Sequence, residues 1–187
     1  MIASPGRIVL LAGITVLSFS ACGTGYRNVR EHPVSGGPCR ALAVVVLEDG
    51  DLLGWIDASG DLCLARAETD LLARIQDIQI SPDGASAAIV SVGEGHPYLT
   101  VYRLNELVAG GGRDGERLSA EATLDPYPLT VEDVRWAGPD DIEFRSAIDF
   151  TCFDRESRRG GYDESRDKPP VRTWRWRLVG DSITAAP

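Results

Sequence analysis

Residues 76–84 read Gln-Asp-Ile-Gln-Ile-Ser-Pro-Asp-Gly, an alternating strand closed by a Pro-Asp-Gly turn. The proline presets one backbone angle of such a turn and the glycine accepts a positive φ, so the chain reverses here. An apolar strand, 87–92, follows. In the next, 98–104, Leu99, Val101 and Arg103 alternate with Tyr98, Thr100 and Tyr102. The pattern returns 56 residues later, where Gln76-Asp77-Ile78-Gln79-Ile80-Ser81 aligns with Glu132-Asp133-Val134-Arg135-Trp136-Ala137. Both copies lead into a Pro-Asp turn, Pro82-Asp83 and Pro139-Asp140, and a further strand, which in the later copy spans 142–147. Trp174, Trp176 and Leu178 alternate with Arg175 and Arg177 in one more strand. Recurrence of this kind points to stacked or radial sheet units.

Upstream lies a meander. Residues 41–47 (ALAVVVL) form a buried-looking run, Asp49-Gly50 is a hairpin signal, residues 52–56 (LLGWI) follow, and Ser59-Gly60 leads into 62–65. Residues 71–75 fit a strand or one helical turn, and that choice stays open. Residues 105–108 read as a helical turn stopped by Gly110-Gly111-Gly112. The class expected for residues 39–187 is all-β, with two to three antiparallel sheets.

The Ile80-Ser81-Pro82-Asp83-Gly84 turn with its flanking strands resembles blades of bacterial β-propellers of the TolB and WD40-like kind, in which this turn joins the two innermost strands. The resemblance covers about residues 76–148, and the later copy carries Gly138-Pro139-Asp140-Asp141 in place of Ser-Pro-Asp-Gly. Blades take roughly 40–45 residues and a closed ring at least four of them. The 148 residues from Arg40 onward hold three. The expected architecture is therefore an open, incomplete propeller or a sandwich-like stack, in preference to a ring completed by several chains.

The N-terminus carries a different kind of information. Residues 1–7 hold one positive charge (Arg7), residues 8–17 (IVLLAGITVL) are an apolar run, and Ser18-Phe19-Ser20-Ala21-Cys22 follows. This is the order of a secretory signal, and the run is about half the length a membrane-spanning helix needs. Phe19-Ser20-Ala21-Cys22-Gly23 resembles the lipobox of bacterial lipoproteins, with Phe19 where Leu is usual. The resemblance implies cleavage before Cys22, a diacylglyceryl group on its sulfur and attachment to the cell envelope. Residues 22–38 are polar and Gly-rich and read as a flexible tether. Without residues 1–21 the chain has 18 basic and 28 acidic groups, a net charge of −10, so attraction to anionic lipid would not hold the body at a membrane.

With Cys22 lipidated, Cys39, Cys63 and Cys152 remain, which suggests one disulfide and one buried free thiol, with three pairings open, or one intermolecular bond. No C-x-x-C occurs and neither His32 nor His96 is spaced with a cysteine, so no metal site is expected.

Other chemistry is sparse. Glu48, Asp49, Asp51, Asp57 and Asp61 match no calcium loop and read as hairpin-turn chemistry. Trp174-Arg175-Trp176-Arg177 offers a stacking platform for nucleic acid or glycan. At strand spacing, however, it reads as a core face backed by a solvated one, and the acidic balance argues against nucleic acid. Residues 154–168 hold five acids and five bases with no aliphatic residue. They read as a mobile loop over about 154–170, and deleting about residues 155–168 is expected to leave the melting temperature nearly unchanged. There is no G-x-S-x-G elbow or phosphate-binding loop, so no catalytic residue and no cofactor are expected. The expected role is a non-enzymatic envelope protein that binds another protein or supports an assembly. A small-molecule or ion-binding module is the alternative, and a hydrolase is ranked below both.

Overall fold

The computed structural model describes residues 27–65, 73–93, 96–110, 120–156, 159–161 and 170–187. The chain is all-β, and the described residues form four antiparallel sheets and one short helix. The first sheet has the order β1-β2-β3-β4 and is built from Val29–Pro33, Ala41–Val46, Asp51–Ile56 and Leu62–Leu64. The second has the order β5-β6-β7-β8, from Arg74–Ile80, Ser86–Gly93, His96–Arg103 and Ala122–Leu124, and the helix α1, Leu104–Gly110, leaves β7 directly. The third runs β14-β13-β10-β9, from Ser182–Ala185, Arg172–Arg177, Asp141–Ser146 and Glu132–Trp136. A two-stranded ribbon, β11 (Asp149–Asp154) with β12 (Arg159–Gly161), is inserted between β10 and β13.

The sheets stack because the second is apolar on both faces. In β6, Ala87 and Ile89 point to the first sheet, meeting Leu42, Val44, Leu53 and Trp55 in one buried layer. Ala88 and Val90 point the other way, joining Leu99 and Val101 against Ile142, Phe144, Trp174 and Trp176. Alternation along a strand sends successive side chains to opposite faces, so one strand feeds both layers. Both indoles of β13 are fully buried. Phe150 of β11 sits edge-on between Phe144 and Trp174, with ring centroids 5.4 Å from each.

The turn after β5 shows why Ser-Pro-Asp-Gly suits it. Ser81 Oγ donates to Asp83 Oδ1 at 2.6 Å and accepts from the Ser86 amide at 2.9 Å, while Gly84 takes φ +69°. A β-carbon at Gly84 would strike the Ser35 carbonyl, so the turn packs flush against the β1–β2 connection. The later copy closes with an Ala137 amide bond to the Asp141 carbonyl at 2.8 Å and lacks the serine.

Three expectations need correction. The sheets number four, one more than the upper expectation. The tether does not extend to Pro38: Val29–Pro33 pairs residue for residue with β2, from Val29↔Val45 to Pro33↔Ala41. An edge strand is held by its backbone, and the polar Arg30, Glu31 and His32 concealed it. The charged loop is not structureless, since Arg159–Gly161 pairs with β11 through Asp149↔Gly161 and Asp154↔Arg159. A β-carbon at Gly160 would run into Ile148 and Phe150, so backbone packs where no aliphatic side chain exists. The remainder of that loop, 157–158 and 162–169, and the signal segment with Cys22 lie outside the described residues.

Trp174→Ala opens a large void in the layer between the second and third sheets. The expected loss of stability is about 3–5 kcal/mol, measured by urea unfolding. A loss below about 1 kcal/mol would mean that this layer does not hold the sheets together.

Candidate functional site

The connections β8–β9 and β10–β11 meet the starts of β7 and β13 between the second and third sheets, and their side chains wall a cleft of about 430 Å³. Pro97, Pro128, Leu129 and Val171 supply most of its apolar wall, with Thr130, Glu132 and Ser146 beside them. Two large apolar side chains stand open here: Tyr127, next to the cleft, is 49% exposed and Val171 is 47% exposed. Clustered exposed apolar side chains mark interaction surfaces more often than single ones do.

The walls are held from behind. Asp125, buried, accepts from the Tyr127 amide at 2.9 Å on one oxygen and from Arg159 Nε at 2.8 Å and Nη2 at 2.7 Å on the other. The same guanidinium lies 5.7 Å from the Tyr127 ring centroid, and the Tyr127-Pro128 peptide bond is cis. Leu129 N donates to the Pro126 carbonyl at 2.9 Å, and Ser146 Oγ donates to the Thr130 carbonyl at 2.9 Å. Arg159, part of the expected loop, is thus a structural member of this site, and the expectation that deleting residues 155–168 costs nothing is withdrawn.

Two other clefts are polar. One, of about 470 Å³, lies among Gly36, Gly37, Asp83, Gly84, Asn105 and Glu106. Its Arg103 is taken up by Glu121 at 2.8 Å, Asp140 at 3.4 Å and Ser86 Oγ at 3.2 Å. The other, of about 420 Å³, runs over the outer face of the third sheet. There Glu143 accepts from Arg135 Nη2 at 2.7 Å and from Arg175 Nε at 3.1 Å, with a second, shorter bond from Arg175 Nη2. Arg145–Asp133 at 3.0 Å and Arg177–Asp141 at 3.2 Å extend the ladder. The Glu143 carboxyl is held below the ordinary range by its hydrogen bonds from Arg175 and Arg135.

Residues singled out in the sequence scatter. Asp51 and the Asp57–Asp61 turn sit at opposite ends of β3. Asp51 takes the Ile75 amide at 2.9 Å with Arg74 at 3.1 Å and Arg30 at 3.4 Å, and Asp57 accepts from the Ser59 and Asp61 amides, both at 2.9 Å. His32 lies half-buried on β1, its pKa lowered by burial and then by Arg30, and His96 opens β7. Cys39 is a buried free thiol, pushed up in pKa by burial, and Cys152 is an exposed free thiol on β11. Every pairing expected among Cys39, Cys63 and Cys152 needs one of those two, so none forms. Cys63 is disulfide-bonded to neither. Cys39 and Cys63 belong to the layer between the first two sheets, whereas Cys152 is exposed on β11. The Tyr127 cleft was missed by sequence reasoning. Its one signal was the aromatic between two prolines in Pro126-Tyr127-Pro128.

No protein-family model matches the chain, and no curated protein matches its sequence. Among solved structures, the uncharacterized protein lmo1340 from Listeria monocytogenes EGD-e superposes with a TM-score of 0.52 at 14% identity, over 85% of this chain and 43% of that one. The AtxE2 isopeptidase with Astexin3-dC4 bound gives a TM-score of 0.42 at 13% identity, over 86% of this chain and 31% of that one, and carries no argument. The chain thus spans less than half the length of either structure. The first likeness concerns the fold alone, a protein of packed antiparallel sheets.

Because the folded-state pKa of Glu143 is depressed, its contribution to stability is present above the unfolded value of about 4.3 and is lost as pH falls through the folded value. Glu143→Gln is therefore expected to lower Tm at pH 7 by several degrees, with the gap to the parent protein closing at acid pH. Melting curves between about pH 7 and pH 2 check this, and a gap independent of pH would contradict it.

Proposed function

We propose that the chain is a lipid-anchored protein of the bacterial cell envelope whose stack of sheets binds another protein. The carrying observation is the preformed apolar cleft flanked by Tyr127 and Val171, an open surface with an aromatic anchor and an arginine beside it. Exposed Tyr and Arg are the residues that most often dominate protein interfaces. The described buried carboxylates Asp51, Asp125 and Glu143 are each engaged by arginine, which favours binding over acid–base chemistry.

A blade-like arrangement is part of the proposal. The edge strands β1, β5 and β9 are linked side by side: Arg30 Nη2 donates to the Ile75 carbonyl at 2.7 Å and Trp136 Nε1 to the Gln79 carbonyl at 2.8 Å. The turns that follow them, near Gly37, Gly84 and Asp140, gather at one end of the stack through the Ser35–Gly84 contact and the Arg103–Asp140 pair. Radial units of propeller type show this relation between innermost strands.

The anchor is proposed from the lipobox resemblance. Strand β1 begins at Val29, which leaves only seven residues, 22–28, as tether.

Tyr127→Ala combined with Val171→Asp is expected to keep the parent's melting temperature while abolishing recovery of a specific partner from detergent-solubilised envelopes. Recovery unaffected by the pair, or no specific partner for the parent protein, would contradict the proposal. Stabilisation of the protein by a sugar, nucleotide or divalent cation would favour the small-ligand reading.

A further inference from the structure

The cleft beside Tyr127 offers an incoming chain little backbone to pair with. Pro97 and Pro128 in its wall have no amide hydrogen to donate. On either side of Pro128, the amides of Tyr127 and Leu129 already donate, to Asp125 Oδ1 and to the Pro126 carbonyl, both at 2.9 Å. Positions 127–129 therefore hold no free donor. The carbonyls that follow are engaged too: that of Thr130 takes Ser146 Oγ at 2.9 Å and that of Val131 takes Thr130 Oγ1 at 3.1 Å. An added β-strand draws its affinity from a ladder of main-chain hydrogen bonds, and this wall supplies none. A strand laid here would press its own unpaired backbone groups against apolar side chains, at a cost for each.

What the cleft does offer is side-chain surface and one charge. Tyr127 stands half-exposed, its ring steadied by the Arg159 guanidinium that Asp125 holds in place. Pro97, Pro128, Leu129 and Val171 continue the apolar wall. A polyproline II segment suits such a wall. It has no internal hydrogen bonds to satisfy, its backbone stays solvated, and its rings pack against aromatic-lined grooves. Its stiffness also reduces the entropy lost on docking. Among the residues lining the cleft, Glu132 carries the only charge, and it is exposed and without an ion pair among the described residues. The neighbouring carboxylates are taken, Asp125 by Arg159 and Asp133 by Arg145. With a net charge of −9 on the whole chain, the local and the long-range fields both favour a cation.

We propose, resting on the reading of this cleft as a protein-binding site, that its occupant is a proline-rich segment of the partner protein in the polyproline II conformation, with a lysine or arginine beside the prolines. The prolyl rings lie against Tyr127, Pro128 and Val171, and the cationic side chain pairs with Glu132. The apolar wall selects the conformation of the segment, and the carboxylate selects its sequence and direction.

Fluorescence anisotropy on the purified full-length protein, at about 0.15 M salt to screen attraction between distant charges, tests this with three labelled peptides. The first is hexaproline flanked by lysines, the second hexaproline flanked by glutamates, and the third alternating valine and threonine flanked by lysines. The first is expected to bind saturably and the other two several-fold more weakly. Tyr127→Ala is expected to weaken the first by about tenfold, the scale of a lost interface anchor. Glu132→Lys is expected to reverse the order of the two hexaproline peptides. Should Tyr127→Ala disturb the fold, as thermal melting reports, Val171→Asp takes its place. Absence of saturable binding by the lysine-flanked prolines overturns the proposal. So does equal or tighter binding of the valine–threonine peptide, or an order that Glu132→Lys leaves unchanged. Where the prolines fail yet Tyr127→Ala with Val171→Asp still abolishes partner recovery, the proline-rich occupant falls and the binding role stands; where both fail, both fall.

Discussion

The structure depends on one constraint: the second sheet must bury both of its faces. Strand β6 alternates Ala87 and Ile89 on one side with Ala88 and Val90 on the other, all within 5% of full burial. A sheet apolar on both faces is stable only between two partners, which places it in the middle and forces the first and third sheets outward. Small residues at 87 and 88 let the flanking Trp55 and Trp174 layers approach. Ionic links then fix the register of the layers, with buried Asp51 joining β3 to the Ile75 amide of β5 and Arg103 reaching Asp140.

The two ends of the stack differ in chemistry. The third sheet ends in a ladder of Arg135, Arg145, Arg175 and Arg177 paired with Asp133, Asp141 and Glu143, whose guanidinium groups are well exposed. The more exposed pairs, Arg145–Asp133 and Arg177–Asp141, add little stability, but the ladder as a whole makes the face costly to bury against an apolar partner. The first sheet ends in alanine, valine, leucine and isoleucine.

Much of this was legible in the sequence, and what was not has physical reasons. The Ser81-Pro82-Asp83-Gly84 turn announces itself because its side chains satisfy its own backbone, and the Trp174-to-Arg177 alternation names its inward face directly. Strand β1 escaped because its pairing is made by backbone groups under polar side chains. Strand β12 escaped because its packing depends on the absence of a β-carbon at Gly160. The candidate site was not visible, since Pro97, Tyr127, Arg159 and Val171 lie far apart in the chain and only the sheet order brings them together.

Native-state hydrogen exchange tests the layered account most directly. If the second sheet is enclosed on both faces, the amides of β6 and β7 exchange only through global unfolding and are the slowest in the protein, slower than those of β2 and β3 or of β10 and β13. Exchange in β6 and β7 that is faster than in the outer sheets would mean that the middle sheet is not the one enclosed, and the arrangement described above would fail.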